Sequence, residues 1–203
     1  HCVGITPDKK YVYAVDLGAD KVIMYTYEDG KLEEASNHNL NVVPGSGPRH
    51  MFFSKDGRYA YYVNDIANKL LVFKYSDEYL NLIQVIHTTP RHFHDFSSAS
   101  AIRLSDTGNH LFVSNRGHDS IVLYRVNKET GKVSLLYMVH TGRSPRDFNI
   151  IDNKYLIVGS AATILVLSVI FKLSSSGTLK SHLSKTFFPF TSISLIVTLL
   201  IKY

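Results

Sequence analysis

The sequence predicts an all-β protein built as about four blades of a β-propeller. Three observations carry that prediction. A run of apolar and aromatic residues returns at blade-length intervals, each return is bracketed by turns rich in Gly, Asn and Asp, and no stretch of useful length has helical periodicity.

The repeat is visible by direct comparison. Asp8-Lys9-Lys10-Tyr11-Val12-Tyr13-Ala14-Val15-Asp16 is echoed by Asp56-Gly57-Arg58-Tyr59-Ala60-Tyr61-Tyr62-Val63-Asn64, then by Thr107-Gly108-Asn109-His110-Leu111-Phe112-Val113-Ser114-Asn115 and by Asp152-Asn153-Lys154-Tyr155-Leu156-Ile157-Val158-Gly159-Ser160. With Tyr11, Tyr59, His110 and Tyr155 in register, the spacings are 48, 51 and 45 residues, the length of a four-stranded blade. Each copy offers a short apolar segment, a polar turn, the apolar-aromatic run, a second turn, and an alternating run such as Lys21-Val22-Ile23-Met24-Tyr25 or Ser120-Ile121-Val122-Leu123-Tyr124. Closing turns follow at Glu28-Asp29-Gly30-Lys31-Leu32, Glu129-Thr130-Gly131-Lys132-Val133 and Ser175-Ser176-Gly177-Thr178-Leu179, with Gly where the backbone needs a positive φ. A lone blade cannot bury both faces, so blades stack around a channel, and known closures use roughly 4 to 8 of them. Four copies therefore make either a small closed propeller or a piece of a larger one.

Composition narrows the function classes. A chain of 203 residues, 45% hydrophobic and 19% charged, is globular rather than disordered. Its net charge of +5 suits an anionic partner, but no basic run is dense enough for a nucleic-acid stripe, so a small anion held by a few Arg is expected. Cys2 is the single cysteine, so no disulfide forms within the chain, and a reducing, cytoplasmic location is expected. The chain opens on His1 with no signal-peptide pattern, and its start reads as a cut from something longer. Segments 156–171 and 187–201 carry no charge, yet both contain Ser and Thr and are shorter than the roughly 20 apolar residues of a membrane span. Membrane insertion is not expected.

Three segments hold residues that a purely structural repeat does not require: Gly45-Ser46-Gly47-Pro48-Arg49-His50, Ser114-Asn115-Arg116-Gly117-His118-Asp119, and Ser144-Pro145-Arg146-Asp147-Phe148. Arg49 with His50, and Arg146, start innermost strands, and His1 takes the same place in the first copy. These side chains are expected to converge at one mouth of the channel. Arg presents a planar charged fork to phosphate or carboxylate oxygens, and His takes a proton from water near neutral pH. Together they suffice for lactone or ester hydrolysis, with Arg stabilising the tetrahedral oxyanion and His activating water. Pro-Arg before a strand also serves to cap a loop, so both roles stay open for Arg49 and Arg146. His118 reads as a turn or inter-blade hydrogen-bonding residue. His87, His92, His94 and Asp95 lie in an irregular insertion without repeating ligand spacing, so no metal is expected, and the insertion reads as a mobile loop over the mouth. No G-x-S-x-G elbow, Walker loop or G-x-G-x-x-G follows a strand.

Gly45-Ser46-Gly47-Pro48-Arg49-His50 with Phe53, then Asp56-Gly57 and Tyr59-Ala60-Tyr61, resembles the G-x-G-P-R-H blade start of the seven-bladed propeller lactonases. That family includes bacterial 6-phosphogluconolactonases and fungal carboxymuconate cyclases. Ser114-Asn115-Arg116-Gly117-His118-Asp119-Ser120-Ile121 resembles its S-N-R-G-H-D-S-I run, Pro145-Arg146-Asp147-Phe148 its P-R-x-F start, and Asp16-Leu17-Gly18 its D-L-G turn. The resemblance runs from His1 to about Leu179. It implies a fragment holding about four of about seven blades, in a partial propeller domain over 1–180 followed by an atypical apolar tail over 181–203.

The resemblance also implies a pocket in which His50, Arg116 and Arg146 are catalytic and His1, Arg49, Asp16 and Asp65 bind or brace the substrate. Asp65 stands where many members have Glu, and Ala101 fills a place that is acidic in some. The implied activity is hydrolysis of 6-phosphogluconolactone in the pentose phosphate pathway, without metal or organic cofactor. A carboxymuconate cyclase and a non-catalytic scaffold are the alternatives. An open arc of blades is expected to self-associate and to be inactive by itself.

Overall fold

The computed structural model describes residues 1–152, 155–161, 163–173 and 179–189. They form four antiparallel sheets, each a meander of sequence-adjacent strands. The first blade contains β1 (Cys2–Ile5), β2 (Val12–Asp16), β3 (Lys21–Glu28) and β4 (Lys31–Glu34). A 3-10 turn at Ser36–His38 then leads to β5 (Leu40–Asn41), which pairs with the start of β3, so the outer strand of this blade is split in two.

The second blade is β6 (Pro48–Phe53), β7 (Tyr59–Asn64), β8 (Lys69–Ser76) and β9 (Tyr79–His87). The third is β10 (Ser98–Leu104), β11 (His110–Arg116), β12 (Ser120–Val126) and β13 (Val133–His140). The fourth is β14 (Pro145–Ile151), β15 (Tyr155–Ser160), β16 (Thr163–Leu173) and β17 (Leu179–Pro189). These are the four blades that the repeat predicts. β17 crosses the boundary expected at residue 180; residues 190–203 of the expected tail, and 175–178 of the turn expected over 175–179, lie outside the described residues.

Alternation along the second strand of each blade explains the stacking. In β7, Tyr59, Tyr61 and Val63 pack with Leu111, Val113 and Val122 of the third blade. The intervening Ala60 and Tyr62 pack with Tyr13, Val15 and Met24 of the first. β11 repeats the pattern, with Phe112 turned toward Phe148 and Leu156 of the fourth blade. Strands that are apolar on both faces are thus buried on both, and every residue of β7 is buried. Among the described residues, apolar side chains of both end blades are left exposed. Val3 and Ile5 of β1 are 72% and 62% exposed, and Ile151 and Ile157 of the fourth blade are also exposed. Among the described residues no helix is long and apolar enough to cross a membrane, and no group of three or more His, Cys, Asp or Glu is placed to hold a metal.

Candidate active site

A repeated turn device sets the geometry of the channel mouth. The turns β2–β3, β7–β8 and β11–β12 end on Asp20, Asn68 and Asp119, each with φ near 50°, a conformation that Asn and Asp tolerate. Each side chain then holds the segment that enters the next blade. Asp20 accepts from Gly45 N at 2.7 Å and Gly47 N at 3.0 Å, Asn68 Nδ2 donates to Ser97 O at 2.7 Å, and Asp119 accepts from Ser144 N at 2.7 Å. The innermost strands therefore begin in fixed places beside these turns.

Those strands begin with a bulge. Pro48 pairs with Asn64 and His50 with Val63, which leaves Arg49 as the extra residue; Pro145 pairs with Ser160 and Asp147 with Gly159, which leaves Arg146. A bulge re-aims a side chain out of the pleat. In the third blade the register shift falls at Ser100 and Ala101, so the place taken by Arg in its neighbours holds a small Ser. Arg49 reaches into that space, and its Nη1 donates to Ser100 O at 2.5 Å. Ser100 Oγ in turn donates to Arg146 O at 2.6 Å, tying the fourth blade to the same point.

Asp65 joins the second and third blades. Its Oδ2 accepts from Arg116 Nη2 at 2.5 Å and lies 3.5 Å from Arg49 Nε. Arg49 is only 5% exposed. Burial and the charge of Arg116 lower its pKa, Asp65 opposes them, and Arg146 adds to the lowering. Among the described residues Arg116 Nε is buried and has no hydrogen-bond partner. One carboxylate thus faces two guanidinium groups, with the charge of a third close enough to be felt.

His50 is half-buried beside this cluster, with Nε2 3.2 Å from Arg49 Nη1. Burial, then Arg49 and Arg103, push its pKa down to about 4, against a smaller opposite pull from Asp147. The ring is uncharged at neutral pH. Arg103 and Asp147, which donate and accept a 2.8 Å hydrogen bond across the third and fourth blades, are site residues that the sequence reading missed. The available signal was the repeat itself, since Asp147 follows the bulged Arg146 as His50 follows Arg49.

Among the described residues Asp16 forms no hydrogen bond or ion pair with this cluster, and His1 bears on it through its ammonium charge, which adds to the lowering of the His50 pKa. Asp16 is exposed and braces its own turn by accepting from Gly18 N at 2.9 Å and Ala19 N at 3.1 Å. His1 is exposed and its ammonium group donates to Val15 O at 2.6 Å. His118 is buried against Ser120 Oγ at 2.8 Å and the Phe93 ring at 4.6 Å, and burial lowers its pKa. The insertion read as a loop over the mouth is fastened to the Arg116 turn: Asn115 Nδ2 donates to Thr88 O at 2.8 Å and Ser97 Oγ to Arg116 O at 3.0 Å.

The chain is 40% identical over 151 residues to the 6-phosphogluconolactonase of Bacillus subtilis, covering 73% of this chain and 43% of that one. The structure is similar to a putative 6-phosphogluconolactonase of Bacteroides fragilis (TM-score 0.77, 32% identity, covering 89% of this chain and 52% of that one). It is also similar to the periplasmic gluconolactonase of Pseudomonas aeruginosa (TM-score 0.79, 30% identity, covering 92% and 56%). The chain spans about half the length of the curated relatives it matches. The profile described as lactonase, 7-bladed beta-propeller, matches residues 1–188, and the chain belongs to that family.

Proposed function

We propose that this chain carries the anion-recognising part of a lactonase site, and that the complete propeller hydrolyses a phosphorylated sugar lactone, 6-phosphogluconolactone first among the candidates. The observation that carries the reading is the unpartnered Arg116 Nε, buried next to a carboxylate already shared by Arg116 and Arg49. A buried guanidinium N–H without an acceptor is costly, and a phosphate or carboxylate oxygen satisfies it. The Bacillus subtilis and Bacteroides fragilis relatives support the phosphorylated lactone.

In this reading Arg116 and Arg49 hold the anionic substrate and Arg146 supplies further positive charge at the mouth. Water attacks the lactone carbonyl, His50 takes the proton, and the nearby guanidinium groups stabilise the tetrahedral oxyanion. As the intermediate collapses, the bond from carbonyl carbon to ring oxygen breaks and the ring oxygen receives the proton from His50. A pKa of about 4 makes His50 a weak base in the empty site. Anion binding neutralises Arg49 and its neighbours, which removes one cause of that lowering and makes His50 more basic when substrate is present.

The test is acid release from 6-phosphogluconolactone at constant pH, with a complete propeller containing these residues and its Arg49→Ala variant. Hydrolysis above the spontaneous rate that collapses in Arg49→Ala supports the proposal. A rate that the substitution leaves unchanged overturns it, and a preference for unphosphorylated gluconolactone overturns the phosphorylated substrate.

A further inference from the structure

A cleft of about 400 Å³ lies between the first two blades. One wall is the segment 40–46, including Leu40 and Val42, and the other is the face of the second blade carrying Leu71, Phe73, Leu80 and Leu82. Asn64, Lys69 and Ser46 lie together at one end. Asn64 and Lys69 are register partners beside the β7–β8 turn, and Ser46 O accepts from Ala67 N of that turn at 3.1 Å. The opposite end is apolar, because Leu82 pairs with Phe73 and Leu80 with Tyr75 further along the sheet.

The internal repeat shows what this polar end lacks. Asn64 closes β7 as Asn115 closes β11. The Asn115 amide nitrogen donates to Thr88 O, supplied by the insertion that precedes the third blade. Among the described residues the Asn64 side chain has no such partner: it is 3% exposed, its Oδ1 is unpaired, and it lines the cleft. Ser46 Oγ is likewise buried without a partner within hydrogen-bonding distance, although it is near enough to Asp20 to contribute to that residue's lowered pKa. Lys69 also lines the cleft and forms no ion pair among the described residues. An amide N–H, a hydroxyl and an ammonium group facing one space all donate, and they call for an acceptor with negative charge. The ammonium has donors enough to serve Asn64 Oδ1 as well.

We infer that this cleft is a second ligand site for a small apolar carboxylate whose head is held by Asn64, Ser46 and Lys69 and whose hydrocarbon part lies between segment 40–46 and the second blade. The site stands independently of the lactonase reading, since none of its residues belongs to the Arg cluster.

The probe is octanoate, measured by equilibrium dialysis with the full chain, together with an octanoate analogue carrying a diazirine for photolabelling. Saturable binding is expected, with label on peptides from 40–46 and 71–85 and protection by unlabelled octanoate. Lys69→Met and Asn64→Leu should each weaken binding at least about tenfold, as befits loss of a hydrogen bond to a charged group. Lys69 is half-buried at the cleft edge and its substitution leaves the core intact, so the test stands even where Asn64→Leu fails to fold. Label confined to the end blades around Val3, Ile5, Ile151 and Ile157, or full-strength binding by Lys69→Met, overturns the site, and so does an absence of saturable binding.

Discussion

Asp65 accepts a 2.5 Å hydrogen bond from Arg116 across the boundary between the second and third blades, and the same oxygen faces Arg49 at 3.5 Å. Both Asp65 and Arg116 are mostly shielded from water, so the contact is more than a surface ion pair. Asp65→Asn keeps the shape but leaves two guanidinium groups facing each other without a counter-charge. Stability should fall by about 2–3 kcal/mol, toward the cost of breaking a buried pair. Denaturant titration of the variant against the parent measures it, and an unchanged midpoint would show that the pair is energetically idle.

The lowered pKa of His50 makes stability depend on pH with a defined sign. Its folded pKa of about 4 lies below the ordinary value of 6.5. Between those values the unfolded chain binds the proton more tightly than the folded one, so stability should drop as pH falls from about 6.5 toward about 4. Melting temperature across that window, compared between the parent and His50→Gln, should show a shallower acid loss in the variant. The His50 proton resonance should also titrate at higher pH when inorganic phosphate is present.

In a complete propeller the roles of His50 and Arg116 separate kinetically. His50→Gln should lower kcat by about 10²-fold or more with little change in KM, as expected on removing a proton acceptor. Arg116→Ala should chiefly raise KM for the anionic substrate. Small and equal effects from both substitutions would favour a scaffold without catalysis.

Gly117 tests the anchoring of the insertion. Its φ is +89°, and a Cβ there would lie 2.2 Å from the Phe96 carbonyl oxygen. Gly117→Ala should cost about 2 kcal/mol or more and loosen residues 88–97. Gly108→Ala is the control. Its φ of +71° is similar, but its Cβ meets only the end of Lys128 at 3.7 Å, so about 1 kcal/mol is expected. Hydrogen exchange of the insertion amides distinguishes the two.

The exposed apolar side chains of the end blades predict the behaviour of the chain by itself. Val3 and Ile5 on one end, with Ile151 and Ile157 on the other, present apolar side chains of the kind that neighbouring blades bury elsewhere in the fold. Light scattering should show oligomers or aggregates, and lactone hydrolysis should not exceed the spontaneous rate. Val3→Lys with Ile5→Lys should shift the distribution toward monomer. A monodisperse parent turning over lactone at the rate of a complete family member would refute this expectation.

The sequence by itself determined the blades. The recurring apolar runs around Tyr11, Tyr59, His110 and Tyr155 specify strands buried on both faces, and only neighbouring blades can cover both. The turns were legible for the same local reason, because Gly, Asn and Asp stand at most of the positions where φ is positive, with Lys9, Glu78 and Ser144 the exceptions. Arg49, His50, Arg116 and Arg146 could be singled out because a structural repeat has no need of them. What only the tertiary structure decided is which of these side chains meet. The bulge that leaves Arg49 unpaired, the small Ser100 that admits it, and the Asp65 carboxylate shared with Arg116 depend on the register between strands and the distance between blades. Neither register nor inter-blade distance is written in any local pattern. Asp16 and Asp65 look alike as carboxylates at the ends of matching strands, yet Asp65 lies one residue further into its turn, at the place of Arg116 in the next blade. That single step turns one carboxylate toward the guanidinium groups and leaves the other to hold its own loop.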